Sequence, residues 1–295
     1  MSSAPPRDLL AVLAAAAGSI CVGTVPTLTL GLYADGLTPQ SMLFWRYWLA
    51  LSVLMPLAVL SSQGLANDWH KAGRGLFLNS ITLGVIQTFT YFRAIQTLPT
   101  SIVVTIFFAY PIFSVILDQV LFGRKARWPT LLAVLLIVSG VVLTGWPHLT
   151  VHEMEPVGLI CAILTPIIFS VYVAIAYRFT RETPAFSCAA FIYLGLGCGF
   201  AVVTFLFGLR APSDWGGWAR LAAIATLGGA LQISAFAYAL PRLSASGYSI
   251  IVSLELVTVV LLGVAVLGEQ LSPVQMIGVL LVVTGIIVER LFRYP

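Results

Sequence analysis

The chain has little charge. Of its 295 residues only 9% are Asp, Glu, Lys or Arg, where a soluble domain carries about 25%. It also has only four cysteines and three histidines, with no metal-ligand spacing among them. His70, His148 and His152 fall between apolar stretches, whereas Cys21, Cys161, Cys188 and Cys198 fall inside them. The cysteines read as small apolar residues, not disulfide partners. There is no Gly-x-x-x-x-Gly-Lys-[Ser/Thr] loop, so no ATPase domain is expected in this chain. No nucleophile–base arrangement recurs at one depth, so no catalytic residue, cofactor or metal is expected. Scarce charge excludes a disordered chain, a nucleic-acid partner and an ordinary cytosolic enzyme.

What is present is apolar. Hydrophobic residues make up 59% of the chain and the mean hydropathy is +1.00. A helix needs about 20 apolar residues to cross the hydrocarbon layer. Ten stretches qualify: Leu9–Tyr33, Pro39–Ser61, Gly75–Leu98, Thr100–Phe122, Trp128–Trp146, Pro156–Tyr177, Ala185–Leu209, Gly217–Leu240, Ser244–Leu267 and Pro273–Leu291. The alternating strands of a β-barrel are missing. The expected class is all-α integral membrane, with the lipid bilayer as its first partner. The loops are too short for a soluble domain. Leu9–Ala17 behind Arg7 has the length of a signal-peptide core, but the apolar run continues to Tyr33 and is expected to stay as the first span.

The positive charges set an orientation. With the N-terminus cytoplasmic, the inner side holds Arg7, Lys71, Arg74, Arg124, Lys125, Arg127, Arg178, Arg181, Arg242, Arg290 and Arg293. The outer side holds Arg210 and Arg220, with Arg93 near the outer end of the third span. Both termini are therefore expected in the cytoplasm.

The chain repeats itself without gaps at an offset of 145. Thr38-Pro39 falls on Thr183-Pro184, Gly84 on Gly229, Gln87 on Gln232, Ala94 on Ala239, Gly123 on Gly268 and Gly140 on Gly285. Two units follow, residues 1–150 and 151–295, each of five spans. Five is odd, so the second unit must enter the membrane from the opposite side, giving an inverted-topology repeat.

With this architecture the chain resembles the drug/metabolite transporter superfamily, EamA type. The residues that carry the resemblance are Tyr110-Pro111, Gly123-Arg124 and Gly140 in the first half, Glu255-Leu256, Gly268-Glu269 and Gly285 in the second, and Arg46 within Phe44-Trp45-Arg46-Tyr47. Two positions depart from the family pattern: Arg124 stands in place of an acid and Leu256 in place of a proline. The resemblance implies an exporter of amino acids or other metabolites, a group that includes YddG-type aromatic amino acid exporters.

Polar groups inside hydrocarbon are costly and so mark function. Gln87, Tyr110, Gln232 and Glu255 all count to mid-depth. Gly84, Gln87, Tyr91 and Ala94 share one helical face, as do Gly229, Gln232, Phe236 and Ala239. The candidate substrate-binding set is Arg46, Gln87, Tyr91, Phe107, Tyr110, Gln232, Phe236, Tyr248 and Glu255. Arg46, about 10 Å in from the outer end of the second span, can attract a carboxylate, cap helix carbonyls or snorkel to the interface. The glutamines can equally tie helices together. Gly84 and Gly229 read as packing positions, and Pro26, Pro111 and Pro166 as hinges. Asp118 reads as solvated or locally paired. The expected function is secondary export of a small-molecule substrate, an amino acid, across a bacterial inner membrane by alternating access. A toxic-cation exporter and an uptake permease stand as alternatives. The oligomeric expectation is a monomer or homodimer.

Overall fold

Prolines open many of the helices. A missing N–H is harmless in a first helical turn, and Pro26, Pro39, Pro111 and Pro156 all occupy that place. The computed structural model describes residues 6–98, 100–123, 126–145, 155–181, 183–267 and 272–293. Arg124, Lys125, Trp146, His148, His152, Gly268 and Glu269 lie outside the described residues. Every element within them is helical, as hydrocarbon requires of a backbone that must satisfy its own hydrogen bonds.

The first half contains α1 (Pro6–Gly23), α2 (Val25–Ala34) and α3 (Pro39–Ser61). A continuous run follows: α4 (Leu65–Asp68), α5 (Arg74–Asn79) and α6 (Val85–Thr97), joined by π-helical turns Trp69–Gly73 and Ser80–Gly84. Then come α7 (Thr100–Phe107), α8 (Tyr110–Phe122) and α9 (Trp128–Gly145). The second half contains α10 (Pro156–Phe179), α11 (Ala185–Phe207), α12 (Trp215–Ala225), a π turn Thr226–Leu231, α13 (Gln232–Leu243), α14 (Ala245–Val252), α15 (Leu254–Leu267) and α16 (Pro273–Arg293).

Three stretches expected as single spans are broken. The first breaks at Thr24 ahead of Pro26, the fourth at Phe108-Ala109 ahead of Pro111, and the ninth at Ser253. The last break has no proline. Leu65–Gly73, expected as a loop, is helical. Its side chains hold it down: Asp68 accepts hydrogen bonds from Ser62 (2.7 Å) and Ser187 (2.8 Å), and Trp69 packs edge-on against Phe77 and Phe191. Among the described residues, five helical runs are long and apolar enough to cross a membrane: Pro39–Ser61, Thr105–Phe122, Pro156–Phe179, Ala185–Phe207 and Trp215–Leu243. Leu9–Gly23, Trp128–Thr144, Gly247–Leu262 and Pro273–Glu289 are apolar but shorter.

The 145-residue offset maps elements onto elements. The π turn at 80–84 maps onto the one at 226–231, α7 onto α14, α8 onto α15 and α9 onto α16. The packing obeys the same rule. A Cβ on Gly140 would lie 2.5 Å from the Gly278 carbonyl oxygen, and one on Gly285 would lie 2.8 Å from that of Ala133. Ala133 is the counterpart of Gly278, so the two contacts are copies of each other. They also place the start of α9 against the end of α16. Equivalent helices that pack antiparallel require a twofold axis perpendicular to their length. The pair α3 and α11 agrees: Ser41 bonds Arg210, whereas Tyr47 meets Phe200 and Tyr193.

The packed bodies are not the two repeats. α10 crosses over to pack on α6, α7 and α8, and α1 crosses over to pack on α13, α14 and α15. One bundle thus gathers α5–α8 with α10 and α11, and the other gathers α12–α15 with α1–α3. The antiparallel pair α9 and α16 stands apart. Within the first bundle Thr165 donates to Thr90 (3.0 Å) and Asn79 to the Tyr172 carbonyl (3.0 Å).

Candidate functional site

The helix breaks position the site. Glu255 lies in the first turn of α15, and its counterpart Tyr110 opens α8. A helix that begins inside the bundle points unpaired N–H groups inward, and its dipole favours negative charge there. Four helices from both bundles surround Glu255. Arg46 of α3, Tyr91 of α6, Tyr110 of α8 and Tyr248 of α14 are all within electrostatic reach. Glu255 nevertheless keeps accessible surface, as do Arg46, Gln87, Tyr91, Phe107 and Gln232. We read these half-exposed side chains, which converge on Glu255 from both bundles, as the lining of a cavity between them.

Arg46 reaches this cavity beside the π turn of the second half. Its Nη2 donates to the carbonyl of Gly228, while its buried Nε has no protein partner. A π turn displaces its carbonyls from the regular ladder, so Gly228 has a free acceptor to offer. Ser234 and Thr88 close other carbonyls near the two π turns, at Ala230 (2.6 Å) and Gly84 (2.8 Å). The guanidinium lies 5.9 Å from the Tyr47 ring centre and within reach of Tyr193. Arg46 and Glu255 attract each other, yet they form no direct salt bridge.

A chain of rings runs from Tyr91 to Tyr248 through both bundles. Tyr91 meets Phe107 at 5.5 Å, Phe107 meets Phe169 at 5.4 Å and Phe169 meets Tyr110 at 5.0 Å. Phe169 then leads to Tyr172, Tyr172 stacks on Phe236 at 6.4 Å, and Phe236 meets Tyr248 at 5.1 Å. The Gln232 side chain lies within hydrogen-bonding reach of Tyr248. Gln87, on the same face as Tyr91, sits beside Thr88 (3.4 Å).

The expected site residues are thus brought together, with different exposures. Tyr110, Phe236 and Tyr248 are buried; Arg46, Gln87, Tyr91, Phe107, Gln232 and Glu255 are half-buried. Gly84 and Gly229 face neighbouring helices: a Cβ would lie 2.9 Å from Leu196 and 3.1 Å from Ala50. Pro26 and Pro111 stand just past breaks, whereas α10 runs through Pro166 without interruption. Asp118 is buried in α8 rather than solvated. Phe169 and Tyr172 on α10, and Tyr47 and Tyr193, were not legible as site residues. The counterparts of Phe169 and Tyr172 are Thr24 and Thr27, so the repeat gave no pointer. Their i, i+3 spacing beside Pro166 was the available signal.

Buried serines join the bundles just below the aromatic wall. Tyr110 donates to the carbonyl of Ser249 (3.1 Å), Ser249 pairs with Ser114 (2.8 Å), and Ser170 donates to the carbonyl of Tyr110 (3.0 Å). This seam lies toward the end of the molecule bearing Arg127, Arg178, Arg181 and Arg242. At the opposite end the positive charges are held: Arg220 pairs with Asp35 (2.9 Å), Arg93 with Glu155 (3.6 Å), and Arg210 donates to the Gly36 carbonyl (3.1 Å).

A two-repeat, all-helical, multi-pass membrane protein with charged groups in an interior cavity has the build of a transporter. The family model for the EamA-like transporter family matches residues 9–146 and 156–289. The chain belongs to that family, whose members are transporters and not enzymes. No curated protein matches it. Among solved structures, a crystal structure titled only as that of a protein is similar in fold, with a TM-score of 0.76 and 20% identity. The similarity covers 95% of this chain and 96% of the other.

Proposed function

We propose that the protein is a secondary transporter that exports a small zwitterionic metabolite, a neutral or aromatic amino acid, across a bacterial inner membrane. The observation that carries this reading is the gap between Arg46 and Glu255. Two opposite charges face one cavity without touching, so a carboxylate can meet the Arg46 guanidinium while an ammonium meets Glu255. A dry cavity strengthens both interactions relative to water. The chain of rings beside them offers an apolar wall for the substrate side chain. The ten-span, inverted arrangement with both termini cytoplasmic supports alternating access. The positive charges agree with that orientation. Those at the proposed outer end are neutralised locally by Asp35, Glu155 and the Gly36 carbonyl, which sharpens the cytoplasmic excess. The moving bodies are the two mixed bundles, not the two repeats.

Reconstituted vesicles test the reading. Labelled amino acids, organic cations and sugars are screened for flux. The reading expects saturable flux of amino acids. Flux of cations alone, or of sugars, overturns it.

A further inference from the structure

The internal symmetry is broken in one respect. At the basic end, α8 packs on α14 and α13 packs along α11. Among the described residues, their counterparts at the other end, α15 with α7 and α6 with α3, are only sparsely packed, with Tyr47 of α3 reaching Thr88 of α6. The molecule is therefore sealed at one end and open at the other. An inverted repeat reaches its second state when the halves exchange conformations. Each contact that seals the basic end then has a counterpart that seals the opposite end.

One of those exchanges changes the chemistry. The seal at the basic end uses the Tyr110 hydroxyl as donor and the Ser249 carbonyl as acceptor. Shifting both by 145 residues gives Glu255 and Val104. A tyrosine hydroxyl always has a proton to give. A carboxylate has none, and against a carbonyl oxygen in a low-dielectric interior it is repelled. The carboxylic acid can make the equivalent bond; a carboxylate can meet the carbonyl only with a donor, such as a substrate ammonium, between the two oxygens.

We propose that closure of the open end requires Glu255 to be neutralised, by a proton or by a substrate ammonium, so that the carrier exchanges its substrate for a proton. The proton enters from the open end, adds to a Glu255 carboxylate oxygen, and donates to the Val104 carbonyl as α7 closes on α15. It leaves toward the basic end when the substrate ammonium takes its place. One proton moves inward for each substrate moved outward. Empty, ionised Glu255 holds the end open, which prevents leak. The antiport step rests on the amino acid reading above; the proton-dependent closure does not.

The charged and titratable groups around Glu255 are named by helix. Arg46 comes from α3, Tyr91 from α6, Tyr110 from α8 and Tyr248 from α14. Of the other helices packed on α15, α1 carries Cys21, α2 carries Tyr33 and α16 carries Glu289. Tyr33 lies within reach of Arg46 and Tyr91. The tyrosines and the cysteine stay protonated across the acidic range, which leaves Glu255 as the group that titrates facing Arg46 across the cavity.

Two measurements test this on the full chain. Spin labels at Val157→Cys on α10 and Ser213→Cys just ahead of α12, both exposed, replace the native cysteines as the only thiols. Without substrate, lowering the pH from about 8 to about 5 is expected to raise the short-distance population at least roughly fivefold. In the Glu255→Gln background the amide donates at any pH, so the short population is high throughout. A distribution indifferent to pH, with Glu255→Gln behaving like the parent, overturns proton-dependent closure. In vesicles, substrate efflux should draw protons inward, and whatever substrate flux Glu255→Gln retains should move no protons. Saturable amino acid exchange without proton movement overturns the antiport and leaves the substrate reading standing. Absence of amino acid flux, with labels still responding to pH, overturns the substrate reading instead.

Discussion

Tyr110 and Glu255 occupy equivalent positions, 145 residues apart, and each begins the second half of a broken helix. The fold uses the same corner twice. In one half it places a buried hydroxyl in a serine-lined seam, and in the other a half-buried carboxylate in a cavity. The same pattern holds for Arg46, whose counterpart is Phe191, packed against Trp69. Charge thus resides on one bundle and apolar packing takes the equivalent place on the other.

The Arg46 guanidinium is expected to set affinity for a substrate carboxylate. Arg46→Ala should weaken binding of a transported amino acid at least roughly tenfold, about 1.4 kcal/mol. Arg46→Lys should recover only part of it, since an ammonium cannot serve Gly228 and a ligand in one plane. Titration calorimetry in detergent measures both. Unchanged affinity in Arg46→Ala would show that the residue only caps the π turn.

The crossing of α9 and α16 has no room for a side chain. Gly140→Val should cost about 1–3 kcal/mol by overpacking and lower the melting temperature in detergent. Val142→Ala, two residues away on a lipid-exposed position, serves as the control and should leave the melting temperature nearly unchanged.

Pro111 is not what breaks its helix. The second half breaks at Ser253 with Leu256 in the proline's place. Pro111→Leu should therefore keep the break and retain flux within roughly twofold. Ser114→Val removes a seam hydroxyl that bonds Ser249 and Ser170. It should destabilise by about 1–3 kcal/mol, since buried polar partners are left unpaired. Thermal unfolding of the two variants ranks them.

Orientation is checked by single cysteines and an impermeant thiol reagent on intact cells. Ser213→Cys should label from outside and Arg181→Cys only after permeabilisation, both positions being exposed at opposite ends. The reverse pattern inverts the topology and turns the open end toward the cytoplasm.

Much of this was legible in the sequence. The Thr-Pro, Gly and Gly-x-x-Gln matches fixed the repeat, and periodicity placed Gln87 with Tyr91 and Gln232 with Phe236. Other features were not legible, for physical reasons. The break at Ser253 has no proline; backbone bonds such as Leu256 to Ser253 (3.2 Å) and the seam serines hold it. The π turns leave no composition signal. Phe169 and Tyr172 enter the site because α10 crosses between bundles, a long-range event that local periodicity does not encode. Of the readings open for Arg46, the structure shows the cap, Nη2 on the Gly228 carbonyl; its part in holding a carboxylate belongs to the proposal.

The central claim is that a zwitterion bridges Arg46 and Glu255. It is tested most directly by counterflow into vesicles loaded with one amino acid, using three external competitors: that amino acid, its decarboxylated amine and its deaminated acid. The account predicts saturable counterflow inhibited by the amino acid, with the amine and the acid each at least roughly tenfold weaker, and loss of that discrimination in Arg46→Ala for the carboxylate and in Glu255→Gln for the ammonium. Inhibition by the amine as strong as by the amino acid, unchanged in Arg46→Ala, would contradict it.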